Sequence, residues 1–119
     1  MTPNEYQYRA MKFAKYATAD YPFLALGEET GEVLGKLAKY CRKNEVGLGG
    51  AIKAAKNGLD GNGHELHADL VKELGDVVWQ LQACCQELGV GLEFIMDVNL
   101  MKLKDRDMRN VIVGEGDKR

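Results

Sequence analysis

Apolar residues recur along this chain at spacings of three and four, the period of a helix, and no stretch alternates apolar with polar as a half-buried strand does. The clearest case is the stretch from about 23 to 44. With successive residues set about 100° apart, Leu26, Thr30, Val33 and Leu37 fall on one stripe, and Glu28 lies nearly opposite, toward water. A first helix is predicted from Thr2 to about Ala19. It opens on a hydroxyl N-cap, a first-turn Pro3 and Glu5, carries Tyr8, Met11, Phe13 and Ala14 inward, and ends before Asp20-Tyr21-Pro22. A third helix, about Glu65–Leu88, buries Leu66, Leu70, Val71, Leu74, Val77, Val78 and Leu81, with Gly89 as its C-cap. A fourth, about Leu92–Met108, presents Phe94, Ile95, Val98, Met101 and Leu103. The stretch between the second and third holds six of the fourteen glycines. It reads as a mobile excursion at about 45–63, with at most one short helical turn at Ala51–Lys56. The pattern therefore predicts one all-α domain over residues 1–119, an antiparallel helical bundle of about four helices with a glycine-rich insert. The bundle is narrow, and the apolar residues of the third helix spread broadly around its axis. More apolar surface results than one chain can cover, so a homodimer or homotetramer is expected.

Acidic residues then change the picture. Glu29 and Glu32 are three residues apart on the border of the second helix's stripe, and Glu73 and Asp76 repeat that spacing on the third. Side-by-side carboxylates repel, and a helix gains nothing from the pair. Two such helices packed together bring four carboxylates to one point, which a cation would have to neutralise. Oxygen-only ligands suit Mg²⁺ or Mn²⁺, rather than zinc, and the pattern lacks the Glu-x-x-His of a di-iron bundle. The competing reading is that all four are solvated surface acids.

Other side chains carry two readings each. Lys36 follows Glu32 by one turn, and Lys39 and Lys43 continue its edge. They either meet phosphates or pair with the acids and water. Asn99, Lys102 and Arg106 share one face of the fourth helix, as a binding face or a surface stripe. Trp79 stands away from the central apolar stripe and either stacks on a nucleobase or packs against a neighbouring subunit. His64 and His67, with Asp60 nearby, read as exposed or capping residues at a helix start.

Bulk properties narrow the classes. Apolar residues make up 45% and charged residues 29%, as in a soluble globular protein. A net charge of −2 argues against a general nucleic-acid or membrane binder. No apolar run reaches the ~20 residues of a transmembrane helix, and the N-terminal stretch lacks the layout of a secretory signal. Three cysteines, two of them adjacent, make no disulfide framework, so a reduced, cytoplasmic setting is expected. The glycines fit neither a Walker loop nor a dinucleotide fingerprint.

Leu26-Gly27-Glu28-Glu29-Thr30-Gly31-Glu32-Val33, followed by Glu73-Leu74-Gly75-Asp76-Val77-Val78-Trp79, resembles the EExxE…ExxD signature of MazG-like nucleoside triphosphate pyrophosphohydrolases. Asn99 to Arg106 is similar to that family's Asn-x-x-Lys-Leu-x-x-Arg element, and Gly114 to Arg119 to the tail of its small, often phage-borne members. The resemblance covers about Leu24 to the C-terminus. It implies an all-α bundle completed by dimerisation and Mg²⁺-dependent cleavage of an NTP or dNTP to monophosphate and pyrophosphate. It places Glu29, Glu32, Glu73 and Asp76 at the metal, Glu28 at a more variable acid position, and Lys36, Asn99, Lys102 and Arg106 at phosphates. Glu29 and Glu32 are the expected catalytic acids; an acid not fully engaged by the metal could accept the proton of the attacking water, and Glu32 is assigned that role. The glycine-rich insert departs from the family pattern, so base-pocket residues do not carry over from it. The alternative is a catalytically silent, metal-stabilised helical oligomer that binds nucleotides or a partner protein.

Overall fold

The computed structural model describes residues 1–58, 61–113 and 116, and among them every regular element is a helix. Five helices follow one another: α1 (Pro3–Met11), α2 (Tyr21–Asn44), α3 (Leu48–Asn57), α4 (Gly61–Glu87) and α5 (Leu92–Met108). The chain divides into two compact units, one of residues 15–84 and one of residues 1–14 with 85–119.

In the first of these units, α2 and α4 contribute the apolar stripes and α3 fills the space beside them. Leu37 of α2, Ala51 and Ala55 of α3 and Leu66 of α4 form a buried cluster, with Tyr40, Cys41 and Leu70 packed on it. Leu48–Asn57 of the glycine-rich stretch is thus corrected from a mobile excursion with at most one helical turn to a ten-residue helix that supplies core. Its two alanines, four apart on one face, are small enough for a close helix approach, and Ala51 is fully buried. The helix opens at Gly47 and closes at Gly58, whose left-handed φ of 53° gives the chain its turn out of α3. Gly47 and Gly58 cap it, and Gly49 and Gly50 lie in its first turn, which leaves the alanine face intact. α2 begins two residues earlier than expected because Pro22 sits in its first turn, where a missing N–H costs no bond.

In the other unit, α1 braces the start of α5. Gly91, the N-cap of α5, has no side chain to offer, and residues of α1 take over that role. Asn4 Oδ1 accepts from the Glu93 N–H at 3.0 Å, and Gln7 Oε1 accepts from the Leu92 N–H at 2.6 Å. Gln7 is buried and donates in turn to the Val90 carbonyl and the Gln86 side chain. A Cβ on Gly91 would stand 2.9 Å from Asn4 Oδ1, so glycine is what lets this cap approach.

The first helix stops at Met11 instead of continuing to Ala19. The N–H groups of Phe13 and Ala14 bond three residues back, which tightens the end of the helix. Tyr8 and Phe13, expected inward, are exposed; the Lys12 amine lies over the Tyr8 ring at 4.6 Å. Tyr16, beyond the helix, stacks on Tyr21. A helix continued through Lys15 would carry Tyr16 out of that contact. Val71, Leu74 and Val78 of α4, also expected inward, are exposed as well. They lie together on a stripe about 140° around α4 from Glu73 and stay exposed among the described residues. No helix of the described residues is long and apolar enough to cross a membrane.

Candidate active site

The acidic cluster lies wholly in the unit of residues 15–84 and is set by the register of α2 against α4. Glu29, Glu73 and Asp76 each offer a carboxylate oxygen, and these oxygens lie within 4.8 Å of one another. Glu29 and Glu73 are half-buried and Asp76 is exposed. Glu32 is exposed one turn along α2 and stands outside this tight group, though its charge still reaches Glu29. Burial pushes the Glu29 carboxyl above its ordinary range, and the charges of Asp76, Glu28, Glu73 and Glu32 push it the same way. One amine faces the cluster at longer range: Lys36 Nζ lies 3.7 Å from Glu73 Oε1. A site of three oxygen donors at this spacing, short of positive charge, has the chemistry of a hard divalent cation's seat.

One turn past Asp76, α4 carries an aromatic wall. Trp79 is half-buried and meets the Tyr16 ring edge-on, with centroids 6.4 Å apart and planes at 88°. Tyr16 stacks in turn on Tyr21 at 5.7 Å. Neither tyrosine was signalled by helical periodicity, since Tyr16 lies outside any helix. Gln80 was likewise missed. It sits four residues after Asp76 on the same face of α4 and is buried at 6% exposure. Among the described residues its Oε1 has no hydrogen-bond partner. Its spacing from Asp76 was the available signal.

Asn99, Lys102 and Arg106 belong to α5, in the other unit. Asn99 and Lys102 line a shallow recess with Ile95 and Val98. Arg106 falls on the same face by its spacing, but it is 4% exposed, and its guanidinium donates to the Gly116 carbonyl at 3.5 Å. His64 and His67 are exposed, and Asp60, like most of the tail from Gly114, lies outside the described residues. Among the described residues, Cys41, Cys84 and Cys85 form no disulfide.

Comparison with known proteins identifies a family whose match spans this part of the chain. The model of the MazG nucleotide pyrophosphohydrolase domain matches residues 21–111, a span that contains α2 through α5 and the whole acidic cluster. The "Gene 37 protein" of Mycobacterium phage L5 is 34% identical over 99 residues, covering 83% of this chain and 75% of that protein. No solved structure matches the chain significantly. With the match covering most of its length, the chain belongs to the family of the MazG nucleotide pyrophosphohydrolase domain.

Proposed function

We propose that this protein hydrolyses a nucleoside triphosphate, NTP or dNTP, to the monophosphate and pyrophosphate with the help of Mg²⁺, for which Mn²⁺ can substitute. The observation that carries the reading is the convergence of Glu29, Glu73 and Asp76 on one point within the family's matched span. Those three residues would hold the ion, with Glu32 beside them. Bound there, the ion supplies charge neutralisation for the triphosphate and Lewis acidity toward water. Glu32, exposed and outside the tight group, accepts the proton as a water oxygen bonds to the α-phosphorus. The bond from that phosphorus to the α,β-bridging oxygen breaks, and pyrophosphate leaves with the oxygen. Lys36, beside Glu73, offsets phosphate charge. Trp79, braced by Tyr16, gives the base a stacking surface. Asn99, Lys102 and Arg106 are assigned to phosphates from the family element alone.

The same reading includes assembly into a homodimer or homotetramer. Its support is apolar surface left open on α2 and α4: Phe23, Leu24 and Leu34 on one, Val71, Leu74 and Val78 on the other. Gly27, Gly31 and Gly35 lie along the exposed side of α2 with open space around them, room for a second helix to approach closely. Three cysteines outside any disulfide fit a reducing cytoplasm.

The test is a panel of single NTPs and dNTPs with Mg²⁺, assayed for products. Monophosphate with pyrophosphate is expected from at least one of them. Diphosphate with orthophosphate would contradict the reading, and binding without turnover would favour the silent oligomer.

A further inference from the structure

We propose that the recess beside the acidic cluster, between α2 and α4, is the subsite for the β- and γ-phosphates, so that pyrophosphate departs through it while the nucleoside points toward Trp79. This rests on the pyrophosphohydrolase reading above and adds a direction to it. The recess has a volume of about 140 Å³ and is lined by Lys36, Lys39, Tyr40 and Lys43 of α2 and by Glu65 and Asp69 of α4. It adjoins the cluster through a shared contact, the 3.7 Å approach of Lys36 Nζ to Glu73 Oε1. From there both helices carry it away. Lys39 and Lys43 follow Lys36 at spacings of three and four, each about one turn or 5 Å further along α2. Asp69 and Glu65 precede Glu73 by one and two turns of α4.

The opposite direction has different chemistry. Beyond Asp76 stand Trp79, with Tyr16 and Tyr21 behind it, and the buried, unpartnered carbonyl of Gln80. Along α2 and α4 the order is therefore aromatic rings and an orphan acceptor, then carboxylates, then amines. A nucleoside triphosphate has a matching order of base, metal-chelating phosphates and terminal phosphates. Three amines against two carboxylates leave the recess with a formal excess of one positive charge. That charge attracts a diphosphate and offers nothing to a neutral base. The two carboxylates oppose a bare polyanion and so favour one already complexed to a divalent cation.

The experiment is calorimetric titration of the full-length protein, in Mg²⁺, with inorganic pyrophosphate and separately with nucleoside monophosphates. The double variant Lys39→Gln with Lys43→Gln replaces two exposed side chains and is expected to keep its helix content. It should weaken pyrophosphate binding by about tenfold or more and change monophosphate binding by less than about twofold. Asp69→Asn, which removes a repulsive carboxylate, should leave pyrophosphate binding unchanged or tighter. The proposal is overturned if wild-type protein binds no pyrophosphate, if its affinity ignores the two lysines, or if the double variant loses monophosphate binding instead. Pyrophosphate held through these lysines by a protein that cleaves no nucleoside triphosphate would contradict the catalytic reading and leave the subsite standing. Cleavage with a lysine-independent pyrophosphate affinity would contradict the subsite alone.

Discussion

Desolvation and four neighbouring carboxylates hold the Glu29 carboxyl above its ordinary range, and this has a consequence for stability without metal. A raised carboxyl pKa means the folded protein keeps a proton that the unfolded chain has released. The contribution of Glu29 is fully present below the unfolded pKa, near pH 4, and is lost as pH rises through the folded value. Metal-free protein should therefore show a falling Tm as pH is raised above about 4, and Glu29→Gln should flatten that slope, as thermal melts in chelator can check. At pH 7.5 the same variant should melt at or above the wild-type temperature without metal and respond less to Mg²⁺. Clear destabilisation of the metal-free variant would make Glu29 a structural partner instead. Glu32→Gln, nearly isosteric, should lower turnover by orders of magnitude with helix content intact. Much of this locality is legible in the sequence, because a spacing of three within each helix places Glu73 beside Asp76 and Glu29 on the edge of an apolar stripe. What periodicity does not carry is the register of one helix against another. It is that register which gathers Glu29 with Glu73 and Asp76, leaves Glu32 outside, and sets Trp79 against Tyr16.

At the scale of elements, boundaries written in local chemistry were readable and those set by tertiary contact were not. The capping box of Thr2 and Glu5 opens α1, and Gly91 precedes α5, as the residues themselves suggest. The end of α1 has no glycine or proline to mark it, since it depends on Tyr16 finding Tyr21. α3 was obscured by the glycines at its ends, although Ala51 and Ala55 already carried its buried face. Two predictions follow from these contacts. Ala51→Leu pushes a large side chain into a fully buried position and should destabilise the fold by about 1–3 kcal/mol in urea unfolding, whereas Ile52→Leu, on the exposed side, should change little. An insensitive Ala51 would mean that α3 is not core. Gln7→Ala leaves the Leu92 N–H and the Val90 carbonyl without their partner and should cost about 1–3 kcal/mol. Faster amide exchange at Leu92 is the local readout.

Among the described residues, apolar side chains of α2 and α4 stay exposed on sides of those helices turned away from the acid pairs. Burial of these side chains against a second copy would leave the groove open to substrate. Light scattering at micromolar concentration should report a dimer or tetramer, and Leu34→Glu together with Leu74→Glu should shift the protein toward monomer; a wild-type monomer would contradict the assembly. Divalent metal should act on the molecule as a ligand of the folded state alone. At 100 times its dissociation constant Mg²⁺ should add about 2.7 kcal/mol, seen as a raised Tm that K⁺ at matched ionic strength does not reproduce. The central claim is that this groove directs water to the α-phosphorus. Turnover of a cleaved nucleoside triphosphate in ¹⁸O-water, with both products read by mass spectrometry, tests it most directly. The account predicts one ¹⁸O in the nucleoside monophosphate and none in pyrophosphate. Label in pyrophosphate, or in orthophosphate released beside a nucleoside diphosphate, would contradict it.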